Sequence, residues 1–548
     1  MNLIEIELKN KIYEACTNVF EIEVDKNLVM VEMPRDPSLG DYSTNIAMRL
    51  TKVLRQNPRL IAEKIVAYLN EHLTIANSIE IANPGFINFR LRKSTMADII
   101  NVVLDKDEHY GENDSGKGEK ILVEYVSANP TGNLHLGHAR GAAWGDATTR
   151  LLKASGYDCL REYYINDAGN QIHNLAESLI SRYFELLGKS YPLPEDGYHG
   201  KDVIEIARQI VEKDGDKWLN VDEKERYTYF RKLGVEKELD KIKVDLRNFR
   251  VEFDVWSSEQ AIRDAGKVEE VLTKLEEKGF TYEQDGALWF RTTEFGDDKD
   301  RVLRKTDGSL TYLVPDIAYH LNKLERGYPK LVDLLGADHH GYIPRLQASV
   351  MAFGYPRESV CVDIIQMVRL VENGVEVKMS KRTGNALTIR DLCDDIGVDA
   401  ARYFFVARAV DTHFDFDLGL ARSASADNPV FYAQYAHARI CSILSQAPAL
   451  VRKEEYTLLE NEKEIALLKL INEFTNEVSD AAKLRAPNKI CNYIQKLAQH
   501  FHSFYAHNKV NDKDNLELTN ERVALLEATR ITLRNALNLI GISAPEKM

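Results

Sequence analysis

The pattern of hydrophobic and polar positions at the start of the chain predicts a small α/β unit. "MNLIEIELKNKIYEACTNVF" alternates charged and apolar residues with the spacing of an amphipathic helix. "PSLGDYSTNIAMRLTKVLRQNPRLIAEKIVAYL" predicts two more helices, and "IEIANPGFINFRL" predicts a strand-like stretch interrupted at Asn83-Pro84-Gly85. We therefore expect an N-terminal module over residues 1–92, separated from the next unit by the polar linker "DKDEHYGENDSGKGEK".

The pattern that follows predicts a parallel sheet in a domain over residues 118–425. "ILVEYVSA" indicates a buried strand, "HARGAAWGDATTRLLKASG" a helix that ends near Gly156, and "YDCLREYYIND" another strand. Such a βαβ unit implies a ligand crevice at the strand ends. Further strands are predicted at "LTYLVPD", "LVDLLGAD" and "CVDIIQMVRL", with helices at "AYHLNKLERG" and "YIPRLQASVMAFG". Charged helical patterns from about residue 170 to 300 indicate an insertion.

From residue 428 to residue 548 the pattern is all-helical, and its charge differs from that of the whole chain. The formal net charge is −14, yet fifteen Lys and Arg stand against fourteen Asp and Glu from residue 430 onward. No acidic residue occurs between Ala481 and Asn511. This end is therefore available to a polyanion, with rings interleaved for stacking. The cations and rings of that window include Lys483, Arg485, Lys489, Lys496, Lys509, Tyr493, Phe501, Phe504 and Tyr505.

Composition narrows the class of protein. A chain of 548 residues is long enough for roughly three to four domains. No apolar run approaches the ~18 residues that span a bilayer, and the start lacks a signal-peptide core. The six cysteines are scattered without a C-x-x-C pair, which disfavours a disulfide framework or a cysteine-based zinc site. We expect a cytoplasmic protein with no membrane partner, and the acidic total argues against a general nucleic-acid coat protein.

Two histidines, His135 and His138, flank a Leu-Gly pair in "SANPTGNLHLGHARG". A metal site is one interpretation, but zinc needs a third or fourth ligand, and "GADHHGY" fixes no coordination geometry. A packed structural pair is the bland interpretation. Because the pair lies in a glycine-bearing loop between the first strand and its helix, where doubly wound sheets bind phosphate, a phosphate clamp is favoured. Gly137 would let a flat ring approach the backbone, and the chain has no G-x-G-x-x-G or Walker A motif.

A second charged stretch lies in "VEVKMSKRTGNALTIRDL". Lys378, Lys381 and Arg382 are close together and are bounded by Gly374 and Gly384. A charge run is usually only a solvated face. Here the run follows a strand-like segment, which also suits a mobile lid whose cations reach a polyphosphate and stabilise charge developing at phosphorus.

"HLGH" and "KMSKR", about 240 residues apart, together resemble the paired signature of class I aminoacyl-tRNA synthetases. The surrounding sequence resembles the sequences of arginyl-tRNA synthetases over essentially the whole chain. The stretches that carry this resemblance are "SANPTGNLHLGHARG", "REYYINDAGNQI", "LRKTDGSLTYLVPDIAYH", "GADHHGYIPRL", "FYAQYAHARI" and the ending "LLEATRITLRNALNLIGISAPEKM". Arg382 departs from the serine usual in the wider class.

The resemblance implies a multidomain α/β fold. Its parts are an N-terminal module that binds the tRNA elbow, a Rossmann-like catalytic domain with an insertion, and an all-helical anticodon-binding domain. It also implies a two-step reaction. Arginine is activated by ATP to arginyl-adenylate, and the arginyl group then passes to the 3′ end of tRNA-Arg, which yields AMP and pyrophosphate. A pocket built from charged hydrogen bonds rejects analogues well, so no large editing domain is needed.

By the same resemblance, four residues act at the transition state: His135, His138, Lys378 and Lys381. The ATP-binding set comprises His135, Gly137, His138, Lys378, Met379, Ser380, Lys381 and Arg382. Magnesium is expected with the ATP phosphates, and no dedicated protein cage for it is visible in the sequence.

The arginine pocket must neutralise a guanidinium, which requires carboxylates near a planar fork. The residues that match the family's arginine contacts are Glu124, Asn129, Tyr312, Asp316, His339 and His340, the two histidines as alternatives for one position. Two bland interpretations stay open. Glu124 could form only a strand-end salt bridge, and Asp316 could only cap the helix that begins "IAYHL".

Contacts to tRNA are expected at both ends of the chain. The candidates in the helical part are Tyr432, Tyr435, His437, Arg439, Lys483, Arg485 and Lys489. In the N-terminal module Asn83, Phe86 and Asn88 match positions that touch the tRNA elbow, although Phe86 could equally be packed. The family also suggests that activation requires bound tRNA. A monomer is expected.

Three other functions are weighed against this one. Cysteine and methionine synthetases usually carry cysteine clusters that the chain lacks, and enzymes for branched aliphatic residues are much longer. A small-molecule nucleotidyltransferase would have no use for the basic helical end. An RNA-binding paralogue without catalysis would not need both signatures intact.

Overall fold

The computed structural model describes residues 3–34, 36–372, 374–377 and 387–548, without the side chains of Pro37, Asp338 and His340. Three units follow one another along the chain. Buried apolar side chains from all three, such as Leu8, Val123 and Phe474, belong to one continuous core.

The N-terminal module packs helices on a small antiparallel sheet. Its elements are α1 (Leu3–Phe20), β1 (Tyr42–Thr44), α2 (Ile46–Leu54), α3 (Pro58–His72), β2 (Ala76–Ala82), β3 (Phe86–Leu91), α4 (Lys93–Ala97) and α5 (Ile99–Lys106). The strand order is β1-β3-β2, so the interrupted strand of the sequence is a β2–β3 hairpin. Helix α3 starts at Pro58, because Asn57 accepts a hydrogen bond from the N–H of Arg59 and Pro58 occupies the first turn.

The second unit is organised around a parallel sheet. Its first elements are β4 (Lys120–Glu124), α6 (Leu136–Ala154), β5 (Asp158–Ile165), α7 (Asn170–Leu186), α8 (Lys201–Asp214), α9 (Glu223–Asn248) and β6 (Val255–Ser258). The next are α10 (Glu259–Asp264), α11 (Lys267–Glu277), β7 (Thr281–Gln284), β8 (Ala287–Phe290), β9 (Arg301–Arg304), α12 (Leu313–Glu325), β10 (Lys330–Gly336), α13 (Ile343–Ala352) and β11 (Val360–Ile365). Five strands pair in the order β11-β10-β4-β5-β6, all parallel.

The strand order creates a crevice beside β4. From β4 the chain moves to β5 and β6 on one side, whereas β10 and β11 lie on the other side. The carboxyl ends of β4 and β10 are therefore a topological switch point, the usual ligand site of an open α/β sheet. Helix α6 begins at this end of β4. The predicted Rossmann-like parallel sheet is confirmed.

The range 170–300 differs from the single insertion that we expected. Strand β6 lies inside this range and pairs with β5 as the edge of the central sheet. Helices α7, α8 and α9 form an excursion with a core of its own between β5 and β6, and β7–β9 form a separate antiparallel sheet. Strand β6 is only four residues long, "VWSS", so it offers too little periodicity to be found in the sequence.

The strand predicted at "LTYLVPD" is wrong, because α12 begins at Leu313 within it. Pro315 occupies the first turn of this helix, where a backbone N–H would have no intrahelical partner and its absence costs little.

A small sheet completes the second unit. Its elements are β12 (Val368–Glu372), β13 (Val375–Glu376), α14 (Ile389–Ile396), α15 (Val398–Val406), β14 (Phe414–Asp417) and α16 (Leu418–Arg422), with the strand order β13-β12-β14. Arg140 of α6 anchors it. This guanidinium is fully buried and donates to the carbonyl oxygens of Gln366, Ala409 and Thr412 at 2.6, 2.8 and 3.1 Å.

Four long helices form the third unit: α17 (Pro429–Gln446), α18 (Glu462–Leu484), α19 (Asn488–His507) and α20 (Leu516–Leu539). The all-helical prediction is confirmed. Tyr493, Phe501 and Phe504, three of the rings in the basic window, are buried in the core of this unit. None of the helices described here combines the length and apolar character that a membrane crossing requires.

Candidate active site

The first signature forms the beginning of α6. His135 is the N-cap, and its Nδ1 accepts a hydrogen bond from the N–H of Gly137 at 3.2 Å. The Nδ1 of His138 accepts from the N–H of His135 at 3.3 Å. Because each Nδ1 is an acceptor, each neutral ring carries its proton on Nε2. A Cβ at position 137 would lie 3.2 Å from Cε1 of His135, a tight contact with this ring that glycine avoids.

The electrostatics of the pair suit a polyanion. Burial lowers the pKa of His138 to about 4, and the neighbouring His135 adds to this shift. Burial also lowers the pKa of His135. The two rings, whose centroids are 3.8 Å apart, are therefore neutral near pH 7 and offer N–H donors at the positive end of a helix.

The loop before the signature is strained at two successive residues. Val126 and Ser127 have φ angles of +70° and +39°, a region that non-glycine residues seldom occupy. Hydrogen bonds hold Ser127 there. Its Oγ donates to Oε1 of Glu124 at 2.9 Å and accepts from the N–H of Tyr164 at 3.1 Å. The strain lies at the carboxyl end of β4, inside the switch-point crevice.

The second signature lies outside the described residues, so Lys378, Met379, Ser380, Lys381 and Arg382 are not located. Its two flanks are described. On the N-terminal side, the N–H of Val377 donates to the carbonyl oxygen of Leu370 at 2.9 Å.

The C-terminal flank of the second signature joins the first signature directly. Thr388 forms an antiparallel bridge with His135, and the N–H of Ile389 donates to the carbonyl oxygen of Leu134 at 2.9 Å. Thr388 is also the N-cap of α14, where its Oγ1 accepts from the N–H of Asp391.

A carboxylate stands at the start of α12. Asp316 is half-buried, and the hydroxyl of Tyr342 donates a hydrogen bond to its Oδ2. Burial raises the pKa of Asp316 to about 6, and the nearby charges of Glu124 and Glu259 act in the same direction. The Tyr342 hydrogen bond and the charge of His320 act against this rise. Asp316 therefore has acidic neighbours and is not a solvent-exposed cap.

Glu124 takes part in a buried ion pair. Nζ of Lys323 is fully buried between Oε2 of Glu124 and Oδ1 of Asp333, the latter at 3.0 Å. The salt bridge weighed in the sequence is thus present. Lys323 neutralises one carboxylate and leaves this cluster of acids with an excess of negative charge.

The other arginine candidates have separate surroundings. Tyr312 is 85% exposed at the N-cap of α12, and Nδ2 of Asn129 donates to Oε1 of Gln171 at 2.5 Å. His339 is exposed, with its ring centroid 6.4 Å from that of Tyr342. The side chain of His340 lies outside the description.

The structure brings to these carboxylates three residues that the sequence argument missed. Tyr342, Lys323 and His320 contact the acids through the fold alone, and the chain separation between Glu124 and Lys323 is 199 residues. The only signal for Tyr342 is its place inside "GADHHGYIPRL", among residues already quoted for the resemblance.

An aromatic and basic face lies on α17 and α19. Tyr435 and Arg439 are exposed, and the Arg439 guanidinium lies 5.2 Å from the ring centroid of Tyr505. The His502 ring is 4.9 Å from that of Tyr432 and 6.0 Å from that of Tyr435. His502 and Tyr505 both belong to the acid-free window between Ala481 and Asn511. We call the surface formed by these residues the α17–α19 face; it consists of Tyr432, Tyr435, Arg439, His502 and Tyr505.

Three side chains expected to contact tRNA are engaged within the protein instead. His437 is 1% exposed and its Nδ1 lies 2.9 Å from the carbonyl oxygen of Pro545. Asn88 is 6% exposed and accepts a hydrogen bond from Ser43. Arg485 forms a two-fold ion pair, at 2.7 and 2.8 Å, with Asp363 in β11. The sequence pattern does not show which of these side chains are buried or which partners they bind.

The remaining tRNA candidates differ in their surroundings. Lys483 is exposed, and Nζ of Lys489 is 3.8 Å from a carboxylate oxygen of Glu477. Asn83, in the turn of the β2–β3 hairpin, accepts a hydrogen bond from Arg59. Phe86, the first residue of β3, is half-buried. Within the described part of the chain, no group of three or more His, Cys, Asp or Glu side chains is placed to hold a metal ion.

Comparisons with known proteins agree with this geometry. Three family models match: the arginyl-tRNA synthetase N-terminal domain over residues 6–91, the class I (R) tRNA synthetase catalytic domain over 99–411, and the DALR anticodon-binding domain over 433–548. The chain is 53% identical to an arginine–tRNA ligase of Bacillus licheniformis over 100% of both chains. It is 54% identical to that of Bacillus subtilis over 95% of this chain and 94% of the relative.

Solved structures share the fold as well. The Thermus thermophilus arginyl-tRNA synthetase superposes with a TM-score of 0.76 at 21% identity, over 100% of both chains. The sheet and the matched catalytic model define a class I aminoacyl-tRNA synthetase. The chain belongs to the arginyl-tRNA synthetase family, and it is an enzyme, an arginine–tRNA ligase that uses ATP.

Proposed function

We propose that the chain activates L-arginine in the crevice between β4 and β10, with the phosphates of ATP on the His135–His138 pair. One observation carries this proposal. The bridge between Thr388 and His135 ties the chain that follows the second signature to the first signature. Lys378 and Lys381 lie within eleven residues of this anchor in sequence, within reach of the same phosphates.

The residues act by positioning and by charge. A carboxylate oxygen of arginine attacks the α-phosphorus of ATP, the bond to the β-phosphate oxygen breaks, and pyrophosphate leaves. The Nε2–H groups of His135 and His138 donate to phosphate oxygens, and Lys378 and Lys381 neutralise the negative charge that develops. ATP arrives as its magnesium complex, so the ion is part of the substrate. Met379, Ser380 and Arg382 complete the nucleotide contacts.

Arginine is recognised by the acidic pocket. Asp316 pairs with the guanidinium, Tyr342 holds the carboxylate in place, and Glu124 adds negative charge behind it. Asn129 and Tyr312 contact the backbone and side chain of arginine, and one of His339 and His340 lines the pocket.

The arginyl group then passes from the adenylate to the 3′ end of tRNA-Arg, which releases AMP. Anticodon bases stack on the rings of the α17–α19 face, while Arg439 of this face and Lys483 bind the phosphate backbone of the tRNA. Asn83 and Phe86 contact the tRNA elbow. The domain limits are 1–92, 118–425 and 428–548, and the enzyme is a cytoplasmic monomer whose activation of arginine requires bound tRNA.

The decisive experiment is pyrophosphate–ATP exchange with each of the common amino acids, with and without tRNA. Exchange should be driven by arginine and stimulated by tRNA. Exchange driven by a different amino acid, or by none, would contradict the proposal. Asp316→Asn tests the pocket, because the loss of its charge should raise the KM for arginine far more than the KM for ATP. An equal effect on both constants would remove Asp316 from the pocket.

A further inference from the structure

A histidine without a part in the function proposed above is buried behind the arginine pocket. His320 is 6% exposed and lies one helical turn after Asp316 on α12. Its Nδ1 is 2.7 Å from the carbonyl oxygen of Asp316, and its Nε2 is 2.8 Å from Oδ2 of Asp333. Asp333, on β10, is 2% exposed and also accepts a hydrogen bond from Nζ of Lys323 at 3.0 Å.

The two acceptors determine the protonation of the ring. A carbonyl oxygen only accepts hydrogen bonds, so Nδ1 of His320 must donate. Burial acts against ionisation of Asp333, but its pKa is held well below the usual range, first of all by the charge of Lys323, whose Nζ donates to Oδ1 at 3.0 Å. An ionised carboxylate only accepts, so Nε2 must donate as well. With a proton on both nitrogens, His320 is an imidazolium in the interior of the protein.

The pKa of His320 agrees with this geometry. Burial alone would lower it, but the charge and the hydrogen bond of Asp333 outweigh burial and raise it above the ordinary value. Lys323, a second charged group near the ring, acts against this rise. Asp333 is therefore the group that keeps the ring charged.

The surroundings of Asp316 show what this charge does. Two carboxylates face Asp316, Glu124 from β4 and Glu259 from α10, and both disfavour its ionised form. Each has a cation of its own: Glu124 pairs with Lys323, and Glu259 pairs with Arg263 at 2.6 Å. The groups that favour ionised Asp316 are the Tyr342 hydroxyl and the charge of His320.

We propose that His320 is a positioning residue for arginine recognition, whose buried positive charge, held by Asp333, keeps Asp316 ionised to receive a planar cationic side chain. This inference rests on the assignment of Asp316 to the arginine pocket. A neutral residue at position 320 leaves Asp316 among carboxylates, where it takes up a proton more readily. A protonated carboxyl forms no ion pair with a guanidinium, so arginine binding depends on His320 while ATP binding does not.

A pair of substitutions separates charge from packing. His320→Gln keeps a hydrogen-bonding side chain but removes the charge, whereas His320→Lys keeps a positive charge without the ring. The kcat/KM for arginine is measured by exchange from pH 5.5 to 8.5, and its fall at acidic pH is called the acidic limb. The midpoint of this limb should lie about one pH unit higher in His320→Gln than in the unchanged enzyme. His320→Lys should keep the limb close to its original position. His109→Gln, at an exposed histidine, is the matched control.

The magnitude and the selectivity are both measurable. At pH 6 the kcat/KM for arginine of His320→Gln should fall by roughly a factor of five to ten, while its KM for ATP changes less than about twofold. A structural role alone would shift neither profile and would affect both substrates. Equal acidic limbs in the unchanged enzyme and His320→Gln, or equal displacement in His320→Gln and His320→Lys, would overturn the inference.

The unchanged enzyme provides a test that needs no folded variant. With histidine labelled by 15N, the ring nitrogens of His320 should both carry protons at pH 7, whereas a neutral ring has one unprotonated nitrogen. An unprotonated nitrogen at pH 7 would overturn the inference. Asp316→Asn keeps the two proposals apart. If it leaves the KM for arginine unchanged, the pocket assignment fails. If it raises that KM while His320→Gln keeps the original limb, only the role of His320 fails.

Discussion

His135 and Thr388 are joined by an antiparallel β-bridge, next to a 2.9 Å hydrogen bond from the N–H of Ile389 to the carbonyl oxygen of Leu134. Thr388 follows the second signature by a few residues, and His135 opens the first. The backbone at Leu134 and His135 is therefore held directly against the backbone at Thr388 and Ile389, beside the crevice. Arg140 fixes the other flank, since it holds the small sheet that carries β12 and β13 against α6.

Lys381→Ala should abolish arginine activation while the fold stays intact. Without this ammonium group, the negative charge that develops on the phosphates lacks a counter-charge, and the exchange rate should fall by about 10² or more. Exchange kinetics and thermal unfolding measure the two effects. Lys213→Ala, at an exposed lysine of α8, should change neither. Near-normal turnover of Lys381→Ala would show that the second signature has no part in the chemistry.

The kcat/KM for arginine should fall as the pH drops through about 6. Burial first, and then Glu124 and Glu259, raise the pKa of Asp316 to about 6, and a carboxyl group is ionised only above its pKa. Arginine binding is therefore complete well above pH 6 and is lost below it, approaching tenfold per pH unit. Initial-rate exchange between pH 5 and 8 measures this dependence. Asp316→Asn should remove the limb, and a limb that persists in this variant would belong to another group.

Arg485→Ala should destabilise the protein with little effect on tRNA affinity. The guanidinium forms a two-fold, partly buried ion pair with Asp363, so its loss leaves a carboxylate without its partner and costs about 1–3 kcal/mol of unfolding free energy. Thermal unfolding and tRNA filter binding report the two quantities. Lys483→Ala, two residues earlier and exposed, should show the reverse pattern. A tenfold loss of tRNA affinity with an unchanged melting temperature in Arg485→Ala would contradict this division.

Tyr435→Ala and Arg439→Ala should each weaken tRNA binding by about tenfold. The loss of a ring that stacks on a base costs on the order of 1–3 kcal/mol, and Arg439 also orders the Tyr505 ring beside it. Equilibrium binding of tRNA-Arg measures both. His437→Ala is a control for packing, because its ring is buried and its loss should lower stability rather than remove an RNA contact directly. Unchanged tRNA affinity in Tyr435→Ala and Arg439→Ala would move the anticodon site away from this face.

Sequence alone predicts the elements with strong periodicity and the positions where signatures lie on them. The βαβ unit around "HLGH" and the all-helical C-terminal part are found as predicted. Strand β6 is missed because four residues carry almost no period, and the start of α12 is misassigned because Pro315 suits both a turn and a first helical turn.

The candidate site is less predictable, because its chemistry depends on contacts between distant parts of the chain. Lys323 and His320 resemble ordinary polar positions of a helix until β4 and β10 bring their carboxylate partners beside them. The same applies to Arg485, a cation in an acid-free window whose partner Asp363 is 122 residues away. Local charge patterns thus indicate which end of the molecule meets a polyanion, but not which cations are free to do so.

The capping arrangement at the start of α6 also protects the pair of imidazoles from metals. A transition-metal ion binds an imidazole only through an unprotonated nitrogen, and in both rings that nitrogen is occupied by a backbone N–H. Coordination of zinc or nickel would require the tautomer to change and the helix cap to open. The enzyme can thus keep two neighbouring histidine rings at a solvent-accessible crevice without forming a ready binding site for transition-metal ions.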